Sequence, residues 1–367
     1  MKSHVCHITS VHPRYDIRIF VKESISLAEH NYLTSLIVGD DLGDETLNKV
    51  NIYGVGTIAN RYLRFLGSSY RIYKKIVDLK PDYIHLHDPE LLFLGFYLSV
   101  FLNYKVVYDV HEDLPKQIIN KHWIPKYFRS IVAKCANLIE LFISKRIYGV
   151  VCATGQIAKR FSGVNKNTIV LYNYPKLSEL AIDNIDLAQR DDCVCYIGSI
   201  SRTRGILQLI KSLQINNVRL KLAGVFSGDV NLELIRSYDD KGLVDYLGVL
   251  DRTEIKLLLG MVKIGIVTLL PTPSYVESLP IKLFEYMLAG IPVIASNFPL
   301  WQDIINNAQC GICVDPLDPL AIAKAIDELL TNQSLALQMG NNGKREVMDK
   351  YNWEHEVNKL IDFYSNS

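Results

Sequence analysis

The chain has almost no net charge: 40 lysines and arginines stand against 39 aspartates and glutamates in 367 residues. No field of one sign surrounds it, so nucleic-acid binding is not expected. It has no apolar run long enough to span a bilayer. The longest clear one, LLFLGFYLSVFL at Leu91–Leu102, falls short of the ~20 residues a crossing helix needs and reads as either a buried helix or one touching a membrane surface. The beginning, MKSHVCHITSVHPRYDIRIF, lacks the charged-then-apolar order of a secretion signal and reads as a strand and a charged loop. Seven cysteines, an odd number, then fit a reducing cytoplasm better than a disulfide framework. Cys193-x-Cys195 and Cys310-x-x-Cys313 lack the four-ligand spacing of a structural zinc site. The first pair shares one face of an apolar strand, and all four read as buried, inert thiols. No metal is expected.

What is present is an alternation. Apolar residues make up 49% and charged ones 22%, a globular balance, and the length favours two cores over one. Short apolar strands are expected at His4–Thr9, Thr34–Val38, Tyr83–His87, Val106–Val110 and Val150–Cys152. A second series falls at Cys193–Ile197, Leu220–Ala223, Lys263–Thr268, Pro292–Ala295 and Gly311–Val314, with helical patterns such as Phe20–Glu29, Tyr70–Leu79 and Leu320–Leu330 between strands. This alternation argues for an α/β fold with parallel sheets covered on both faces. The polar interval Tyr174–Asp192 separates the series, giving domains at 1–175 and 176–348 and a last helical segment at 349–367. Sites in doubly wound sheets lie at the carboxyl ends of strands. Gly54-x-Gly56-x-x-Ala59 fits a dinucleotide-binding turn, but it lies past the first strand–helix unit and no acid ends a following strand at the usual distance, so it is set aside.

The stretch Val276–Ser296, VESLPIKLFEYMLAGIPVIAS, reads as a strand end, a short helix and the next strand. Pro280 suits a first helical turn and Gly290 a left-handed stop. Ile281, Phe284 and Leu288 would form the apolar face, with Lys282 and Glu285 together on the exposed flank and Glu277 in the loop before the helix. One reading is a solvated helix whose Lys282–Glu285 pair contributes about 0.2–0.5 kcal/mol. The other is a site. Uncapped amides at a helix start, with a lysine beside them, bind an anion, and two carboxylates accept hydrogen bonds from hydroxyls. Diphosphate on the amides, with ribose and sugar on the acids, describes a sugar nucleotide.

Four more clusters fall at expected strand ends. They are Thr9–Glu23, with Arg14, Asp16, Arg18, Lys22 and Glu23; His85–Glu90; Tyr108–Asp113; and Gly198–Gly205, with Arg202 and Arg204. Arginines at that last turn suit phosphate oxygens. His111 reads either as a capping or core histidine or as a functional one, whereas His85 and His87, on one face of a strand, read as structural. Lys121, Lys126, Arg129, Lys134, Lys145 and Arg146 stand against one acid, Glu140, with Trp123, Tyr127 and Phe128 interleaved. That is either a solvated helix face or a surface for anionic headgroups.

Four segments carry a family likeness: Glu277-x7-Glu285 within ESLPIKLFEYMLAGIPVIAS, GSISRTRGI at Gly198–Ile206, YDVHED at Tyr108–Asp113, and Tyr351-Asn-Trp-Glu354 before a last helix. In these the chain resembles, over its whole length, the retaining glycosyltransferases of family 4, of the bacterial surface-polysaccharide type. The resemblance implies a GT-B fold, two Rossmann-like domains facing across a cleft with the last helix crossing back to the first. It implies hexosyl or N-acetylhexosaminyl transfer, without a metal, from a UDP- or GDP-sugar. The acceptor would be a hydroxyl of a polyprenyl-diphosphate-linked oligosaccharide at the anionic inner face of the plasma membrane. Glu285 would meet the ribose, Glu277 the donor sugar, Arg204 and Lys282 the diphosphate, and His111 the sugar and reacting centre. Backbone at Gly198 and Leu279 would cradle phosphate, and Gly248, Val249 and Leu250 would face the base. Arg18, Lys126 and Arg129 would lie toward acceptor and membrane. Two positions depart from the family pattern: Ser10-Val-His-Pro-Arg14 replaces a glycine pair, and Ser199 replaces an arginine for which Arg202 would substitute. The alternatives are a sugar-nucleotide epimerase of the same fold and a non-catalytic subunit of a polysaccharide assembly.

Overall fold

The computed structural model describes residues 2–57, 61–120, 124–180, 182 and 189–365; Ala59, Lys121 and Trp123 lie outside the described residues. The chain divides into two compact units, Met1–Asn173 with Glu356–Ser367, and Tyr174–His355.

The first unit is built on an eight-stranded sheet: β1 (Lys2–Thr9), β2 (Tyr32–Val38), β3 (Glu45–Leu47), β4 (Val50–Gly54), β5 (Tyr83–Leu86), β6 (Lys105–Val110), β7 (Gly149–Cys152) and β8 (Thr168–Val170). The order is β3-β4-β2-β1-β5-β6-β7-β8, and only β3 runs antiparallel to its neighbour. Val5, Ile8, Ile84, Leu86, Val106 and Val150 are fully buried because helices cover both faces. Strand order reverses at β1, which pairs β2 on one side and β5 on the other. The helix after β1 starts on Asp16, whose carboxylate accepts the Arg18 and Ile19 amides. It winds as a π-helix over Ile17–Ser24 before an α-helical turn at Ile25–Glu29. That wider winding turns Arg18, Lys22 and Glu23 inward together. Residues from Glu356 onward belong to this unit, and the Tyr364 hydroxyl lies 2.7 Å from His85 Nδ1.

The second unit has a six-stranded, all-parallel sheet: β9 (Asp191–Ile197), β10 (Arg219–Ala223), β11 (Val244–Gly248), β12 (Val262–Val267), β13 (Val293–Ser296) and β14 (Gly311–Val314). The order β11-β10-β9-β12-β13-β14 reverses at β9, between β10 and β12. Ligands in such sheets bind at the carboxyl side of that reversal. There the backbone is drawn in tightly. Gly224 has φ of +140°, and a Cβ on it would lie 1.9 Å from the Gly198 carbonyl oxygen, so no other residue fits.

Candidate functional site

The helix Ile281–Leu288 carries the second unit's polar residues, but not on a solvated flank as its apolar spacing suggests. Lys282 and Glu285 are only 5% and 4% exposed. The helix is enclosed, with the Tyr286 ring where a Cβ on Gly265 of β12 would stand and the helix Gln333–Asp349 packed on it. Lys282 and Glu285 do not pair. Glu285 instead accepts a hydrogen bond from Arg252 at 2.8 Å, and Arg252 donates to Glu179 at the same distance. Arg252 and Glu179 escaped the reading of the sequence. The available signal was Asp251-x-x-Glu254, a capping box that starts the helix Arg252–Met261 and so sets Arg252 in its first turn.

Lys282 is the unusual group. Among the described residues its Nζ has no hydrogen-bond partner, and it sits 3.4 Å from the centre of the Tyr196 ring. Burial, and then the positive charge of Arg204, hold its pKa well below the lysine range. Pro280 caps the helix without offering a side-chain acceptor to the first amides. At the end of β9, Gly198 has φ of +122°, and a Cβ there would be 3.9 Å from the lysine nitrogen. Arg204 ends the short turn Arg202–Arg204, its guanidinium 5.7 Å from the Tyr275 ring centre. The next residue, Gly205 (φ +74°), would carry a Cβ 1.8 Å from the Thr268 carbonyl, which fixes this turn against β12. Arg202, by contrast, is exposed and ion-paired with Asp229, and Ser199 meets Ser227 at 3.0 Å.

The half-buried Glu277 follows the short helix Pro273–Val276, with Leu279 two residues on. Their loop is tied down by the fully buried Trp301, whose Nε1 donates to the Ser278 carbonyl at 2.6 Å. At the end of β11, Gly248 has φ of +75° and Val249 is 69% exposed. A buried lysine, an uncapped helix start and a cation in the adjoining turn are features that suit a polyanion.

In the first unit His111 follows β6. Its Nε2 lies 2.8 Å from Asp109 Oδ2 and 3.2 Å from His87 Nδ1. Asp109 receives both Nε and Nη2 of Arg18 at 2.9 Å. Burial alone would raise the Asp109 pKa, but Arg18 and then His111 hold it well below the carboxylate range. Arg18 is therefore not on an acceptor-facing surface: it is buried, with Nη1 donating to the Leu171 carbonyl. Arg14 is likewise turned inward, to Asp40, Glu45 and the Gly43 carbonyl. In the loop that lacks the glycine pair, the Ser10 amide donates to Asp88 at 2.6 Å. His12 stands 3.5 Å from both Asp16 and Asp88. Its hydrogen bond to Asp16 raises its pKa against the opposing effect of burial.

Two helices of this unit present apolar side chains to solvent. On Leu92–Leu102 the buried face is Leu92, Gly95 and Leu98, while Phe93 and Phe101 are 54% and 65% exposed. On Lys126–Ser144, Tyr127, Phe128, Ile131, Leu138 and Phe142 are exposed, with Lys126, Lys134, Lys145 and Arg146 exposed around them. The Phe96 and Phe142 rings, 5.9 Å apart, join the two helices. Arg129 departs from its expected place: it donates to the Ile124 and Ile119 carbonyls and fastens the helix Leu114–Asn120. Among the described residues no helix is long and apolar enough to cross a membrane.

Two doubly wound, mostly parallel sheets give the chain the GT-B fold. Residues 179–346 match the family model described as glycosyl transferases group 1. The chain is 24% identical over 364 residues to an uncharacterised glycosyltransferase of Methanocaldococcus jannaschii, covering 90% of this chain and 88% of the relative. It is 21% identical to the O-antigen chain mannosyltransferase C of Escherichia coli, covering 81% and 79%. Sucrose-phosphate synthase from Thermosynechococcus elongatus superposes with a TM-score of 0.80 over 100% of this chain and 99% of its own, at 18% identity, a likeness of fold.

Proposed function

We propose that the protein is a retaining, family-4 glycosyltransferase that moves a sugar from a UDP- or GDP-sugar to a hydroxyl of a polyprenyl-diphosphate-linked glycan in surface-polysaccharide assembly. The observation that carries this reading is Lys282, a buried lysine beside an uncapped helix start whose Nζ has no hydrogen-bond partner among the described residues. Glycosyl transfer builds oxocarbenium character on the sugar and negative charge on the departing phosphate. Preorganised cations and amides aimed at that charge stabilise the transition state most. Lys282 and Arg204 take the diphosphate, with the backbone at Gly198 and Leu279. Glu285, oriented by Arg252, receives the ribose hydroxyls; Glu277 receives the sugar, and Gly248 and Val249 face the base. The leaving phosphate helps to deprotonate the acceptor on the face it departs from, and no metal takes part in the transfer. For His111 we keep the role the resemblance implies, contact with the donor sugar.

The exposed aromatics of Leu92–Leu102 and Lys126–Ser144, with Lys126 among them, suit docking on an anionic membrane from the cytoplasmic side. The likeness to an O-antigen mannosyltransferase supports a glycan acceptor. The test is incubation with UDP- and GDP-sugars and polyprenyl-diphosphate-linked acceptors, reading the anomeric configuration of the product by NMR. Retention is expected, and Glu277→Ala should abolish most of the transfer. An inverted product contradicts the mechanism, and an undiminished rate in that variant contradicts the site.

A further inference from the structure

At the amino ends of β1, β2, β5 and β6 the first unit holds a cavity of about 640 Å³. That volume falls within the range of small-molecule sites, roughly 300–1,000 Å³. The groups proposed for donor and reacting centre include none of its lining residues. From Lys105 at the cavity, β6 runs six residues to His111, about 20 Å of extended chain. The cavity forms where β1 carries an extra residue. Lys2 pairs with Tyr32 and His4 with Leu33, so Ser3 has no partner on β2. Such bulges are rare in parallel pairs and common beside functional sites. Three lining residues, Tyr32, Tyr83 and Tyr364, are buried tyrosines that hold one another. The Tyr32 and Tyr83 rings lie 6.1 and 4.9 Å from that of Tyr364. The Tyr32 hydroxyl meets Ser365 Oγ at 3.0 Å, and the Tyr83 hydroxyl donates to the Tyr364 carbonyl at 3.3 Å.

The charges around this space are balanced but not joined. Lys105 is exposed, its Nζ donating to the Tyr83 hydroxyl at 3.3 Å and standing 5.1 and 5.5 Å from the Tyr83 and Tyr148 ring centres. Asp82, also exposed, accepts the His4 amide through Oδ2 at 2.7 Å. Both line the cavity, yet among the described residues neither has an ion-pair partner. Three helices, Arg61–Leu79, Leu92–Leu102 and Trp353–Ser365, end at this side of the sheet. Their last carbonyls make it electronegative, and one lysine offset by Asp82 does not reverse that, so an anion is disfavoured. A cation would meet Lys105. An apolar molecule would leave Asp82, Lys105 and the tyrosine hydroxyls without partners. An uncharged ligand rich in hydroxyls fits, because each hydroxyl can accept from the ammonium and donate to the carboxylate. A saccharide has this chemistry. Tyr104, the one lining tyrosine that is not buried, offers aromatic surface to the apolar face of a sugar ring.

We propose that this cavity is a saccharide-binding site, separate from the donor site, that takes neutral glycan units between Asp82 and Lys105. That the glycan is the one the transferase extends rests on the function proposed for the chain; the site itself does not. Saturation-transfer NMR on the full chain tests it, with the methyl α-glycosides of glucose, mannose, galactose and N-acetylglucosamine at millimolar concentration. At least one should receive magnetisation, undiminished by saturating UDP and GDP. Asp82→Asn, which keeps an acceptor for the His4 amide, and Tyr104→Ala should each raise its Kd about tenfold. Lys282→Met should leave that Kd as in the wild type. No transfer to any of the four glycosides overturns the proposal. So does a signal displaced by either nucleotide, or a Kd unaltered in both cavity variants. If Tyr104→Ala does not fold, Asp82→Asn and Lys105→Gln decide. A negative result here leaves nucleotide binding at Lys282 standing, and a failure of nucleotide binding leaves this measurement readable.

Discussion

At Lys282 stability and function oppose each other. An unpaired ammonium nine-tenths or more buried destabilises the protein by itself. Lys282→Met should therefore raise the unfolding free energy by about 1–3 kcal/mol in urea titrations and lower transfer by roughly 10²–10³-fold. A variant that is both less stable and fully active contradicts the assignment. The pH dependence has a definite sign. Because the folded pKa lies below the unfolded lysine value of 10.5, the unfolded chain holds more protons between those two values. The contribution of Lys282 to stability then rises with pH across that window and is flat on either side. A diphosphate beside Nζ reverses the shift, so nucleotide binding in alkaline buffer should take up a proton. Calorimetry in two buffers of unlike ionisation enthalpy measures this; binding without proton uptake contradicts it. Arg252→Ala removes the group that orients Glu285 and should raise the donor KM about tenfold, near 1.4 kcal/mol, with kcat changed less. A KM left as in the wild type would show that Arg252 does not position the donor.

At the scale of elements, the loop Glu277–Leu279 depends on one indole. Trp301→Phe keeps most of the packing and deletes the hydrogen bond to the Ser278 carbonyl. A loss of about 1 kcal/mol in stability is expected, with a raised donor KM; unchanged kinetics would show that the loop is held by other contacts. Buried strands were legible where β6, β7, β9 and β12 carry the apolar runs VVY, VVC, CVCYI and IGIV, as parallel sheets covered on both faces require. β3 and β8, three residues each, are too short to show a period. The polar side of Ile281–Leu288 was misread for a related reason. Apolar spacing does not show which side meets the sheet: Tyr286 and Lys282 turn to Gly265 of β12 and Tyr196 of β9, Arg252 covers Glu285, and the apolar Met287 meets Gly343 of Gln333–Asp349. Lys282 and Glu285 were thus legible as a pair of interest, and their burial was not. The Arg18–Asp109 and Arg252–Glu285 bonds join residues 91 and 33 positions apart, which one sequence read locally does not reveal. The π-helical winding that turns Glu23 inward carries no periodic signature of its own.

For the whole molecule, near-neutral net charge hides an uneven surface. Exposed Tyr127 and Phe128 beside Lys126, with Phe93 and Phe101 exposed on Leu92–Leu102, predict flotation with anionic vesicles, weaker at high salt and on neutral lipid. Phe128→Ser with Lys126→Glu should reduce it several-fold, in line with about 1 kcal/mol per basic residue near such a surface. A protein that stays off anionic vesicles at low salt contradicts membrane docking and leaves the donor site as it stands. The account turns most directly on whether a nucleoside diphosphate binds at Lys282. The decisive measurement is thermal unfolding of wild type and Lys282→Met with UDP and with GDP. At a hundred times Kd, one of them should stabilise the wild type by about 2.7 kcal/mol and stabilise the variant far less. No shift with either nucleotide, or an equal shift in both proteins, would contradict the claim that Lys282 receives the diphosphate.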